Sequence, residues 1–260
     1  MEMDKPKYPV QTVLKAMEVL ELLAEDGSNK GLGITELDRK IGLGKSTIHR
    51  MLETLAYCRL VEKDAETGKY RLGWRLYSMG QIVPRQHQLY NLDPAPLLAL
   101  NAATGETVNI GVLSGNEVVI ISKIEDVKEP LRAGVTQGKH EDIHATSLGK
   151  VLISELSDGE IARLVSEPMK ACTPNTITSL DRLIRAARAA GEQGYAVDNE
   201  ELSLGLYCIA MPLRDYTGKI IAALSVSTPA ARMNEDKRAA IIARMAVAQK
   251  QISATLGYMG

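Results

Sequence analysis

Between Val10 and Tyr57 the apolar positions recur every three or four residues in three separate runs. Val13, Met17, Leu20 and Ala24 define a first helix, which Asp26-Gly27-Ser28-Asn29 ends. Ile34, Leu37 and Ile41 place a short second helix behind a Thr35-x-x-Asp38 capping pattern and ahead of the tight Gly42-Leu43-Gly44 turn. A third helix is expected from Lys45 to Tyr57. Its stripe is Ile48, Met51 or Leu52, and Leu55, which leaves Lys45, Ser46, His49, Arg50 and Glu53 facing outward. Alternation then takes over. Residues 60–64 and 69–72 flank a turn containing Glu66-Thr67-Gly68, a hairpin with Tyr70 and Leu72 inward and Lys69 and Arg71 outward. Helical spacing returns over residues 74–90 with Trp74, Leu76, Tyr77, Met79 and Ile82, and Pro84 is expected to kink or end that helix.

From Asp93 the pattern is mixed. Residues 94–104 read as a helix ended by Gly105, and residues 106–113 and 117–124 alternate around Ser114-Gly115-Asn116 as a hairpin. Residues 131–135 form a further short strand, 147–156 and 180–190 are helical, and 208–213 and 220–227 are strands joined by Asp215-Tyr216-Thr217-Gly218. A closing helix over 234–256 carries Ile241, Met245, Ala248 and Ile252. Strands joined by hairpins among helices imply an α+β unit, an antiparallel sheet flanked by helices. The chain therefore reads as two domains, with no internal repeat.

The second and third helices cross at a glycine turn, and the hairpin follows directly, which is the layout of a winged helix-turn-helix. The start of the third helix offers free N–H groups and a positive dipole end to a phosphate. Lys45, Ser46 and Thr47 add donors there, His49 and Arg50 reach toward base edges, and Lys69 and Arg71 on the wing meet flanking phosphates. From Lys45 to Arg75 there are seven basic and four acidic residues, a local excess in a chain of net charge −1. This fits phosphate contact along one edge rather than a general polyanion coat. Gly44-Lys45-Ser46-Thr47 also looks like the end of a phosphate-binding P-loop. That motif needs a glycine where Arg39 stands and a buried strand before it, and here an amphipathic helix precedes it.

Composition adds limits. At 260 residues the chain is long enough for one large or two modest domains, and hydrophobic content of 45% is that of a soluble globular protein. The first ten residues lack the apolar stretch of a signal peptide, and no run approaches membrane-spanning length, so no membrane partner is expected. Cys58, Cys172 and Cys208 are widely spread without a CxxC pair, which points to the reducing cytoplasm and away from zinc fingers and disulfide frameworks.

The segment GITELDRKIGLGKSTIHRMLETL with LVEKDAETGKYRLG resembles the N-terminal domain of the isocitrate-lyase-regulator (IclR) family of bacterial transcription factors. HATSLGKVLISEL and GYAVDNEELSLGLYCIAMPLRDYTGKIIAALSVSTP match the same family in order and spacing, so the resemblance covers nearly the whole chain. It implies a flexible arm over 1–9, a winged domain over 10–73, a linker helix over 74–90 that shares in dimer contacts, and a GAF-like effector domain over 91–260. It also implies that Ser147, Leu148, Asp198, Cys208, Ser225 and Ser227 touch a small oxo-acid effector. The residues agree in part: Ser147-Leu148 opens a helix, Ser225 and Ser227 share one face of a strand, Cys208 lies on a strand able to neighbour it, and Leu206 supplies an apolar wall. Some members have a small Gly-Ala pair where Ser147-Leu148 stands, and the larger pair narrows the pocket.

Other constellations carry less. Ser147-x-x-Lys150 lacks the SDN and KTG partners of a penicillin-recognising enzyme, and His140 and His144 have no third metal ligand at fixed spacing. Asp198-Asn199-Glu200-Glu201 mostly solvates a turn, with Asp198 alone directed to the pocket. The expectation is a DNA-binding repressor without enzymatic activity, cofactor or metal. It is a homodimer or homotetramer on double-stranded operator DNA, released by a small organic acid of the 2-oxo acid or sugar acid class. Sparse aromatic residues speak against a ring-stacking pocket. The competing reading is a metal- or nucleotide-responsive sensor, or an enzyme, using the C-terminal domain.

Overall fold

The computed structural model describes residues 7–28, 30–87, 89, 92–125, 137–165 and 168–260. The chain divides into two compact units that part between Tyr90 and Asn91. The short strand expected over 131–135 lies outside the described residues, as do the first six positions of the expected arm.

In the first unit, α1 (Gln11–Ala24), α2 (Ile34–Ile41) and α3 (Lys45–Tyr57) enclose Val19, Leu20, Leu23, Leu37, Ile48, Met51, Leu52 and Leu55. Both Met51 and Leu52 are buried, so the stripe of α3 is wider than a single heptad seam. Each large side chain buried there contributes about 1.5–3 kcal/mol. The cap of α2 differs from the sequence pattern. Glu36 Oε2 accepts the Gly33 N–H at 2.7 Å, two residues earlier than Thr35 suggested. Asp38 Oδ1 accepts the Gly44 N–H at 2.7 Å instead, bracing the turn into α3. Gly42 (φ 73°) and Gly44 (φ 84°) sit in that turn at dihedrals which L side chains rarely adopt.

The hairpin is short: β1 (Val61–Lys63) pairs antiparallel with β2 (Tyr70–Leu72), with Val61 opposite Leu72. Leu32 completes the wing, exchanging both backbone hydrogen bonds with Tyr70 at 3.0 and 2.9 Å. Tyr70 is buried as expected. Leu72 shares its side of the strand but is 36% exposed, because the strand ends there. The single helix expected over 74–90 is two pieces, α4 (Trp74–Gly80) and α5 (Val83–Gln86). Pro84 stands in the first turn of α5, where its missing N–H costs nothing, and so starts the second piece rather than ending the first.

The second unit contains α6 (Ala95–Thr104), β3 (Thr107–Ser114), β4 (Glu117–Ile124), β5 (His140–Asp142), α7 (Ser147–Leu152), α8 (Asp158–Leu164), α9 (Leu180–Gln193), β6 (Ala196–Asn199), β7 (Leu206–Arg214), β8 (Ile220–Pro229) and α10 (Glu235–Thr255). The strands form one antiparallel sheet in the order β5-β4-β3-β8-β7-β6. Val118, Ile120, Ala196, Ala210 and Ala223 pack against α7, α8 and α9. The alternate positions Val108, Ile110, Ile209, Leu224 and Val226 are also buried and face the opposite way, where α6 and α10 lie along β3, β7 and β8. Ile241, Met245, Ala248 and Ile252 of α10 are all buried. Helix α7 stops at Leu152, short of the expected residue 156.

Candidate functional site

On the first unit, Lys45, Ser46, Thr47, His49 and Arg50 are all exposed on α3. No side chain caps the first turn of α3, which leaves its leading N–H groups to an outside acceptor. Lys45 and Arg50 have no ion-pair partner among the described residues, while His49 Nδ1 lies 3.4 Å from Glu53 Oε2. On the wing, Lys69 Nζ lies 3.3 Å from Glu36 Oε2, and an Arg71 guanidinium nitrogen 3.3 Å from Glu62 Oε2. These exposed pairs are screened by solvent, hold weakly and yield readily to a phosphate. An open groove runs beside α3, lined by Thr12, Thr47, Arg50, Glu53, Thr54 and Tyr57. Thr12 belongs to α1, and the sequence pattern gave no sign that it reaches this surface.

On the second unit, the sheet face under α7 carries a row of polar side chains. Asn109 of β3 stands opposite Ser225 of β8, and Cys208 of β7 stands between Ser227 of β8 and Asp198 of β6. Asn109 donates to Ser225 Oγ at 3.4 Å and Ser227 Oγ at 3.2 Å, and Cys208 Sγ lies 3.2 Å from Ser227 Oγ. Ser147, Leu148, Asp198, Leu206, Cys208, Ser225 and Ser227 all line one small cavity together with Asn109, Ile120, Glu141, Thr146 and Leu202. Its walls stand close enough to leave room for about one water.

Local packing explains how α7 is seated over this face. Thr146 Oγ1 caps it by accepting the Gly149 N–H at 3.0 Å. A Cβ at Gly149 would lie 2.1 Å from the Ile143 carbonyl oxygen, so only glycine allows the preceding turn to pack there. Gly111 of β3 similarly makes room for Leu148, whose Cδ1 would lie 2.9 Å from a Cβ at that position.

Asp198 is 1% exposed. Its Oδ1 accepts the N–H groups of Glu201 (2.7 Å) and Leu202 (3.3 Å), which folds the chain after β6 back over the cavity. Burial pushes its carboxyl up to about 7, against the opposing pull of the Glu201 N–H and the Lys150 ammonium. Burial likewise raises Glu141, and raises the Cys208 thiol well above its ordinary value. The acidic run after β6 does not mostly face solvent as expected: Glu201 reaches the buried Lys150, which also donates to the Val197 carbonyl at 2.7 Å. Lys150 thereby serves the loop and is unavailable to activate Ser147. His140 and His144 separate too, the first 2.8 Å from Glu117 Oε2, the second 2.9 Å from the Lys170 carbonyl.

Asn109 and Glu141 escaped the sequence reading for different reasons. Thr107, Asn109 and Gly111 alternate with apolar residues, the same signal that marked Ser225 and Ser227, so Asn109 was findable. Glu141 lies in a three-residue strand too short to show any period.

A winged helix-turn-helix followed by an α+β domain with an enclosed polar cavity defines a ligand-responsive DNA-binding transcriptional regulator. The comparisons agree: residues 12–65 match the IclR helix-turn-helix domain and residues 85–254 match the bacterial transcriptional regulator IclR C-terminal domain. The chain belongs to the IclR family, whose members are transcriptional regulators rather than enzymes. It is 36% identical over 250 residues to the regulator XynR of Escherichia coli K12, covering 96% of this chain and 98% of that protein. It is 33% identical to the regulator KdgR of Dickeya chrysanthemi, covering 99% and 83%. Among solved structures, the IclR regulator of Alicyclobacillus acidocaldarius superposes with a TM-score of 0.80 at 26% identity, covering 95% of this chain and 99% of that one. The helix-turn-helix domain binds operator DNA and the C-terminal domain binds an effector. No helix among the described residues is long and apolar enough to cross a membrane.

Proposed function

We propose that this protein is a cytoplasmic repressor that holds its operator as a homodimer, or as a pair of dimers, and releases it when a small organic acid enters the C-terminal cavity. The carrying observation is the cavity under α7, where one enclosed space gathers seven side chains from α7, β6, β7 and β8. The effector is of the 2-oxo acid or sugar acid class. Ser147, Leu148, Asp198, Leu206, Cys208, Ser225 and Ser227 hold it. Lys45, Ser46 and Thr47 take a phosphate at the start of α3, His49 and Arg50 read base edges in the major groove, and Lys69 and Arg71 grip the flanking strand. The domain limits that go with this reading are 10–73, 74–90 and 91–260.

Support for the DNA contacts comes from the exposure of all five α3 side chains and the uncapped first turn. Support for ligand control comes from the enclosure of the polar row, since a buried polar cavity is where binding energy is available to shift two protein states. The test is fluorescence anisotropy with the duplex upstream of the protein's own gene, titrated with small carboxylates. Specific binding that weakens steeply with salt, and is relieved by at least one carboxylate, is the expected result. Binding that ignores both salt and every carboxylate refutes the reading.

A further inference from the structure

Glu53 is the only acidic residue of α3. The buried side chains Ile48, Met51, Leu52 and Leu55 fix the inner face of that helix. At about 100° per residue, Ser46, Arg50, Glu53 and Tyr57 then form the line directly opposite, the most outward-facing of the helix. Arg50, Glu53 and Tyr57 also line the open groove beside α3. The Glu53 side chain is 63% exposed. Nothing within the first unit accounts for it. Among the described residues it pairs with no lysine or arginine and accepts no hydrogen bond, and it stands too far along the helix to cap the first turn. Its one neighbour is His49, whose Nδ1 lies 3.4 Å from Glu53 Oε2 in a weak, exposed pair. A carboxylate on this line is repelled by the phosphates of any duplex that approaches.

We propose that Glu53 reads a cytosine, accepting its N4–H in the major groove at a base pair neighbouring a guanine held by Arg50. The inference rests on the reading of α3 as the helix that enters the groove, and adds a second base to it. Cytosine presents only a donor on its major-groove edge, whereas guanine, adenine and thymine each present an acceptor there. A carboxylate is therefore matched by cytosine alone. Arg50 and Glu53 are three residues apart, about 4.5 Å along the helix axis and about 60° round it. That separation is comparable with the rise of about 3.4 Å between stacked base pairs. His49 is a positioning residue: it stands beside Oε2 and leaves Oε1 to the base. The repulsion from phosphate then acts as a filter. It weakens binding to every sequence, and only a site with the cytosine recovers the loss, so the carboxylate raises discrimination more than affinity.

The test is fluorescence anisotropy of the full chain on three sets of DNA. These are the segment upstream of its own gene that it protects from nuclease, that segment with each base pair changed in turn, and a random duplex of equal length. The parent should lose about tenfold when one particular C·G pair is changed. Glu53→Ala should bind the random duplex at least twofold more tightly than the parent and be indifferent to that pair. Glu53→Gln, of nearly the same size, should accept adenine in place of the cytosine at least as well, since an amide matches the N6 and N7 of adenine. A gained preference cannot come from a variant that fails to fold. The proposal is overturned if Glu53→Ala keeps the parent's preference at every pair, or loses affinity for the protected and random duplexes alike. Either result leaves the α3 reading standing where Arg50→Ala still loses binding to the protected segment. If Arg50→Ala and Glu53→Ala both bind every duplex as the parent does, both readings fall.

Discussion

Arg50 and Asp198 carry opposite electrostatic problems, one a charge held in water for an anion to find, the other a charge forced out of water. Arg50 is exposed without an ion-pair partner among the described residues, so nothing must be broken before it meets a base edge. Arg50→Ala should therefore cost about 1–3 kcal/mol at the operator and little on random duplex, read by anisotropy on both. Lys45→Ala should instead weaken both alike and reduce the salt slope by about one. Equal losses for the two variants on the two duplexes would show that Arg50 reads no base. For Asp198, burial raises the folded carboxyl to about 7, while in the unfolded chain it titrates near about 4. The folded state thus holds the proton more tightly. The stability this contributes is complete below about pH 4 and is lost as pH rises through about 7, on the order of a few kcal/mol. Asp198→Asn has no charge to bury, so its melting midpoint should gain on the parent chain between about pH 5 and pH 8. A difference that stays flat over that interval would place Asp198 in a better-solvated setting than its 1% exposure implies.

At the scale of elements, α7 depends on one residue without a side chain. Gly149→Ala sets a Cβ against the backbone carbonyl of Ile143 at 2.1 Å, and backbone cannot swing aside as a side chain can. The variant should lose about 1–3 kcal/mol by overpacking, and effector affinity with it, because Ser147 and Leu148 ride on the same six-residue helix. Unchanged denaturant unfolding would mean the turn over Ile143–Ala145 is free to move. The long periodic helices were legible in the sequence because burial imposes its period over several turns: α1, α3, α9 and α10 follow their apolar stripes. Short elements were not. β5 and β6 span three and four residues, fewer than two alternations of inward and outward positions. Helix α8 was missed although Ser157-x-x-Glu160 spells a capping box, which the structure uses: Glu160 Oε2 accepts the Ser157 N–H at 2.8 Å and Ser157 Oγ accepts the Glu160 N–H at 3.3 Å. The cavity shows the same division. Ser225 and Ser227 were marked by their spacing on one strand and Leu206 by its apolar character, whereas the placement of Asp198 and Cys208 came through family resemblance. Glu141 required the sheet order β5-β4-β3 to bring it to the others, and no local pattern encodes strand order.

For the whole molecule, the first unit leaves more apolar surface open than a lone helix-turn-helix needs. Val10, Val13, Leu14 and Met17 are 65, 59, 43 and 49% exposed on or beside α1, and Trp74, Tyr77 and Met79 of α4 are 74, 62 and 53% exposed. Trp74 and Tyr77 stack edge to face at 6.1 Å, a pair held ready outside any core of its own unit. Clustered apolar exposure marks contacts with another chain, and in the homodimer proposed above a second copy is the occupant. One winged domain covers one half-site, and two copies related by a twofold axis place two recognition helices one turn of the duplex apart. Trp74→Glu with Tyr77→Glu should therefore raise the dimer dissociation constant at least tenfold by sedimentation, at small cost to the melting of the C-terminal domain. Operator affinity should fall with it at protein concentrations below the dimer dissociation constant, because two chains must then associate before both half-sites are covered. If the doubly charged variant still sediments as the parent does and holds the operator with equal affinity, the α4 face is solvent-facing and the assembly must be built elsewhere on the chain.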